Sequence, residues 1–78
     1  MSAVLSVKRR NGVAGQFELE ARVRYADEDP RTVGFVGSTY GGPVVLVMPN
    51  GLQVFVTDPG RFGEKLDEAW VRAFFAAD

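Results

Sequence analysis

The sequence predicts a single α+β domain, in which an antiparallel sheet of four or five strands is followed by a C-terminal helix that packs on it. The prediction rests on three observations. Polar and apolar residues alternate over residues 16–26, two β-prone runs flank Asn50-Gly51, and apolar residues recur at helical spacing over 67–77. A chain of 78 residues is expected to form one domain over 1–78. An SH3-like, partly open barrel with a C-terminal helix is the alternative architecture.

The first two strands are predicted from their alternation. Residues 3–8 are expected to form a strand whose inward face carries Ala3, Leu5 and Val7. Residues 16–26 form the clearest strand, because their apolar side chains alternate with charged or amide ones. A one-residue change of pairing turns a whole face over, so burial should decide the register. We therefore expect Val7 to face Phe17, across a loop over residues 9–15.

Turn-forming residues then mark the third strand. An acidic run interrupted by a proline predicts a turn over residues 27–31. Residues 32–38 are predicted to form a strand, in which Gly34 and Gly37 indicate a bend or bulge. Residues 39–43 are expected to link this strand to the next.

The segment 44–57 is predicted to be a β-hairpin and to organise the sheet. Asn50-Gly51 favours a two-residue type I′ turn, because both residues accept positive φ. Such a turn sets Met48 opposite Gln53, so that one face is wholly apolar and the other mostly so. A hairpin that is apolar on both faces is expected to lie centrally in the sheet or to be covered on both sides. The first face carries Val45, Val47, Val54 and Val56.

Two helical segments are predicted after the hairpin. Asp58 is expected to cap a short helical turn that ends at Gly63. The C-terminal helix should run from about Asp67, its N-cap, to Ala77. Leu66 and Val71 occupy the staple positions around that cap, and the apolar stripe of the helix carries Trp70, Phe74 and Phe75.

Composition excludes several kinds of chemistry. The chain contains no histidine and no cysteine, so it lacks an imidazole base, a thiolate nucleophile and both of the commonest nitrogen and sulfur metal ligands. The carboxylates at 27–29 are interpreted as a solvated turn, and the glycine-containing segments match no nucleotide-binding motif. We therefore expect no enzyme activity, no cofactor and no metal. No signal peptide or membrane span is indicated, so a cytoplasmic location is expected.

Aromatic residues are more numerous than one small sheet face obviously needs. One interpretation is that all of them fill the core. The functional hypothesis is that some form a protein interface, since aromatic and methionine side chains are enriched in such surfaces. Self-association as a homodimer is the simplest form of that hypothesis. The candidate interface residues are Phe55, Phe62, Trp70, Phe74 and Phe75.

Basic residues support an alternative function. Arg9 and Arg10 follow the first strand, and Arg22 and Arg24 lie on the outer side of the second, where they could bind phosphates. A net charge of −1 provides no global attraction for nucleic acid, and neighbouring glutamates offer ion-pair partners. Weak nucleic-acid binding is therefore the second hypothesis.

Amino-acid usage indicates the kind of source. The chain has twelve valines and no isoleucine, and seven arginines against two lysines, which is typical of a high-GC genome. Segments 42–47, 54–63 and 69–75 resemble short proteins of actinobacteria and their phages. The resemblance implies no activity and no site residue, and the functional hypothesis is an accessory protein of such a bacterium or phage.

Overall fold

The computed structural model describes residues 2–11, 16–38 and 42–77. Within these ranges the strands pair antiparallel in chain order, so that β1 and β5 are the opposite edges of one sheet. A C-terminal helix packs on that sheet, which confirms the predicted α+β class in its open form. The elements are β1 (Ser2–Asn11), β2 (Gln16–Tyr25), β3 (Arg31–Ser38), β4 (Val44–Val47), β5 (Gln53–Phe55), a 3₁₀ helix (Pro59–Phe62) and α1 (Glu68–Ala76).

The hydrophobic core lies between α1 and one face of the sheet. Alternation in β2 and β3 places every second side chain on this face, as predicted for β2. Phe35 is central: the rings of Trp70 and Phe74 approach it edge-on, each with 5.5 Å between ring centroids. The buried apolar residues of the core are Leu19, Ala21, Val23, Val33, Phe35, Val44, Leu66, Trp70, Val71 and Phe75.

The helix begins where the sequence predicts. The side chain of Asp67 accepts a hydrogen bond from the Trp70 backbone N–H at 2.9 Å, which satisfies one of the free donors of the first turn. Trp70 Nε1 donates to the Pro59 carbonyl at 2.9 Å and so ties α1 to the 3₁₀ helix. The predicted side-chain cap at Asp58 is wrong. Asp58 is left-handed, with φ 49°, whereas a capping side chain requires an extended backbone.

The predicted hairpin turn is wrong by one residue. Gly51 N donates to Met48 O and Met48 N donates to Leu52 O, both at 2.8 Å, so the loop has three residues. Gly51 has φ 89°, whereas Asn50 is not among the residues with positive φ. Proline favours the first central position of a type I turn, and glycine then forms the bulge that follows it.

This turn changes which side chains share a face. Val45 pairs with Phe55, and Leu46 pairs with Val54. The predicted pairing of Met48 with Gln53 is therefore replaced by one in which Val47 faces Gln53. The expected central position of the hairpin is also wrong, because β5 is an edge strand.

The predicted register of β1 is wrong, and its predicted inward face is confirmed only for Val7. A bulge between Val4 and Ser6 inserts Leu5 as an extra residue, so that Val4 and Val7 both pack against the core. Leu5, predicted to be inward, is 44% exposed, and Val7 pairs with Ala21 rather than with Phe17. Ala3, also predicted to be inward, is exposed. Strand β1 continues to Asn11, and residues 12–15 of the predicted loop lie outside the described residues.

The glycines of β3 do not form the predicted bulge, since the strand pairs regularly with both neighbours. Gly37 is instead packed closely against residues from the following strand and from the segment before α1. A Cβ atom there would be 3.0 Å from the Pro43 carbonyl oxygen and 3.4 Å from Leu66 Cδ2. Residues 39–41 of the predicted link also lie outside the described residues.

Candidate interaction surface

The sheet face opposite α1, here called the outer face, changes character from one edge to the other. A single row of paired residues crosses it, because strand partners share a face. The row is Arg10, Glu18, Val36, Val45 and Phe55. Along this row the β1–β2 half is charged, whereas the β3–β5 half is apolar.

The apolar half ends in solvent at β5. The whole of β5 is exposed, and Phe55 is the most exposed large apolar side chain of the described chain, at 73%. Leu52 is 59% exposed and Val54 is 46% exposed. We call Leu52, Val54 and Phe55 the exposed hairpin cluster. Single exposed apolar residues are ordinary, but adjacent ones on an edge strand indicate an interaction site.

The other side of the hairpin is only partly covered by the helix. Leu46 and Met48 line an open concavity of about 340 Å³, whose opposite wall is formed by Phe62 and Phe74. All four side chains are half-buried. Apart from Gln53, the outer face of the hairpin is apolar as well, so this hairpin exposes apolar surface on both of its sides.

The candidate interface residues fall into three environments. Trp70 and Phe75 are buried within the chain, 2% and 6% exposed, and so are unavailable at its surface. Phe62 and Phe74 are half-buried with ring centroids 5.3 Å apart, and Phe74 stacks on Trp70. Phe55 is the one candidate whose side chain is largely free.

Sequence reasoning missed Leu52 and Val54 as surface residues. The two-residue turn predicts that Val54 lies on the wholly apolar face with Val45 and Val47, whereas in the structure Val54 pairs with Leu46. The signal that could have located them is Pro49, since a proline before Asn-Gly favours the three-residue loop.

The charged half of the outer face contains one close ion pair. Arg10 Nη1 lies 2.6 Å from Glu20 Oε1, between two exposed side chains. The hydrogen bond to Glu20, together with the charges of Glu20 and Glu18, raises the pKa of Arg10. The pair is exposed to solvent and so contributes little to stability.

The candidate phosphate-binding arginines do not form one patch. Register places Arg10, Arg22 and Arg24 on the outer face, where Arg22 pairs with Ser6 and Arg24 with Ala3. Arg9 pairs with Leu19, which faces the core, and so lies on the opposite side of β1. Within the described ranges Arg22 and Arg24 are exposed and make no ion pair.

Comparison with known protein families, curated proteins and solved structures gives no significant match. Among the described residues, no helix has both the length and the apolar character that crossing a membrane requires.

Proposed function

We propose that this chain is a small non-enzymatic interaction module that binds a second copy of itself through the β4–β5 hairpin. The exposed hairpin cluster carries the proposal, because three large apolar side chains are exposed along one edge of the sheet, where proteins usually place charge. Phe55 lies on the outer face, and Leu52 and Val54 lie on the helix side. In this proposal the module is a cytoplasmic accessory protein of a high-GC bacterium or its phage. Its interface uses Phe55 together with Leu52 and Val54, with Phe62 and Phe74 at the margin.

Light scattering coupled to size exclusion, over a concentration series, tests the proposal. Wild-type chain is expected to shift from monomer to dimer as concentration rises. Phe55→Glu should shift the transition to higher concentration, because it places two like charges in the apolar centre. Leu5→Glu is the matched control, since Leu5 is also exposed, at 44%, but lies on β1. A wild-type chain that stays monomeric at every concentration contradicts the proposal.

One observation favours nucleic-acid binding as a second candidate. Arg22 and Arg24 are exposed on the same face of β2 and are free of ion pairs in the described ranges. A filter or fluorescence assay with single-stranded DNA and RNA at rising salt measures this function. Arg22→Ala/Arg24→Ala should weaken binding and flatten its salt dependence. An absence of binding at low salt eliminates this candidate.

A further inference from the structure

The backbone of β5 has one free side, and the hydrogen bonds of the hairpin identify it. Val56 N donates to Val44 O at 2.9 Å, and Met48 N donates to Leu52 O at 2.8 Å. In an antiparallel pair these bonds occur at alternate residues, so Leu52, Val54 and Val56 direct their peptide groups toward β4. Gln53 and Phe55 therefore direct their N–H and C=O groups away from the sheet.

We propose that two copies of the chain join edge to edge, β5 against β5, about a two-fold axis that passes beside Val54. The proposal rests on the self-association proposed above and specifies its geometry. Gln53 of one copy then exchanges hydrogen bonds with Phe55 of the other, and Phe55 with Gln53. This register is the one that pairs every residue of β5 with β5, and it merges the two sheets into one continuous sheet.

The same register covers the exposed hairpin cluster. Val54 meets Val54 of the second copy on the helix side, and Leu52 meets Val56 beside it. On the outer face the two Phe55 side chains become diagonal neighbours, about 7–8 Å apart at their Cα atoms, which is within reach of aromatic rings. Three of the four large apolar side chains that are most exposed in the described chain are thus covered by a single contact.

The opposite edge of the sheet is protected against the same pairing. Lys8, Arg9 and Arg10 would face like charges if two β1 strands met, and the bulge at Leu5 interrupts the ladder. Arg72 Nη1 also donates to the Val4 carbonyl at 3.3 Å. Strand β5 carries no charged side chain, so no electrostatic repulsion opposes its pairing with itself.

A single introduced cysteine tests the register, since the chain has none of its own. Val54 would form a non-hydrogen-bonded pair with its copy, with Cα atoms about 4.5 Å apart, a separation that a disulfide spans. Val54→Cys is therefore expected to form a covalent dimer under mild oxidation and to lose it on reduction. Leu5→Cys is the control, with nearly equal exposure but a position on β1. Equal cross-linking of the two variants would overturn the proposal.

Removing the outward N–H of Gln53 tests the hydrogen bonds without touching those to β4. Proline is tolerated on an edge strand where the N–H faces away from the sheet. Gln53→Pro should weaken dimerisation about ten- to hundredfold, because symmetry removes two intermolecular bonds. Gln53→Ala should bind as wild type does, and circular dichroism verifies that both variants are folded.

The outcomes separate this geometry from the proposed function. If wild-type chain dimerises, Val54→Cys does not cross-link and Gln53→Pro dimerises normally, the β5 pairing is wrong and self-association stands. If wild-type chain is monomeric throughout, both proposals fall. Cross-linking at Val54 alone, combined with weakened dimerisation of Gln53→Pro, supports the pairing.

Discussion

Substituting Gly37 by alanine tests how tightly β3 packs under the rest of the chain. The new Cβ would lie 3.0 Å from Pro43 O, 3.2 Å from Val44 Cγ2 and 3.4 Å from Leu66 Cδ2. Overpacking of this kind costs about 1–3 kcal/mol, whereas the reduced entropy of the unfolded chain returns about 0.4–1 kcal/mol. We expect Gly37→Ala to lower the free energy of unfolding by about 1–2 kcal/mol.

Gly34→Ala is the matched control, on the same strand and also without positive φ. Its Cβ would lie 3.6 Å from Val47 Cβ, an ordinary contact, so the variant should be neutral or more stable by up to about 1 kcal/mol. Urea unfolding at one fixed protein concentration measures both, with the fluorescence of the single tryptophan, Trp70, as the probe. Equal stability of the two variants would refute the inferred close approach at Gly37.

Three further predictions concern the cap, the turn and the aromatic core. Asp67→Ala should lower the free energy of unfolding by about 1 kcal/mol, and Asp67→Asn should lower it much less, because asparagine can also cap the helix N-terminus. Equal losses in the two variants would show that the cap contributes nothing to stability. Gly51→Ala should lower the free energy of unfolding by about 1–2 kcal/mol because of the positive φ at this position, whereas Gly60→Ala should leave it nearly unchanged. A larger loss for Gly60→Ala than for Gly51→Ala would contradict the bulged turn. Trp70→Ala should lower the free energy of unfolding by about 3–5 kcal/mol, whereas Phe55→Ala should lower it by under about 0.5 kcal/mol in the monomer. Circular dichroism follows the unfolding of both variants. A small loss for Trp70→Ala would contradict the placement of Trp70 in the core.

The fold class could be predicted because its signals are local. Alternation from Leu19 to Val23 and the Asp67 cap depend on neighbouring residues alone, and both hold in the structure. The hairpin register could not be predicted from Asn50-Gly51 alone. Two turn types compete for that pair, and Pro49, whose fixed φ suits a type I turn, favours the longer loop.

The face of β1 depends on a feature with no local signal. Apolar residues at Val4, Leu5 and Val7 fit an unbroken strand with either face inward. The bulge at Leu5 allows Val4 and Val7 to reach the core together, a gain visible only once β2 and α1 are in place.

The candidate interface was only partly predictable for the same reason. The sequence alone does not distinguish three large aromatic residues, Phe55, Trp70 and Phe75, as core or surface. Their roles separate only with topology, because the helix lies against β1 and packs its aromatic side chains on Phe35 of β3, and leaves the last hairpin at the edge. The aromatic surplus that suggested a partner is therefore largely the core itself.

What distinguishes the surface that remains is the contrast between the two edges. An open meander leaves two edge strands, and natural proteins protect such edges with charged side chains, bulges or a covering segment. Strand β1 has all three in Lys8, the Leu5 bulge and Arg72. Strand β5 is protected only by being short. A hairpin whose apolar sides are uncovered gains little stability alone in water. This difference between the two edges is expected if β5 pairs with a strand of a partner while β1 must not pair with another chain.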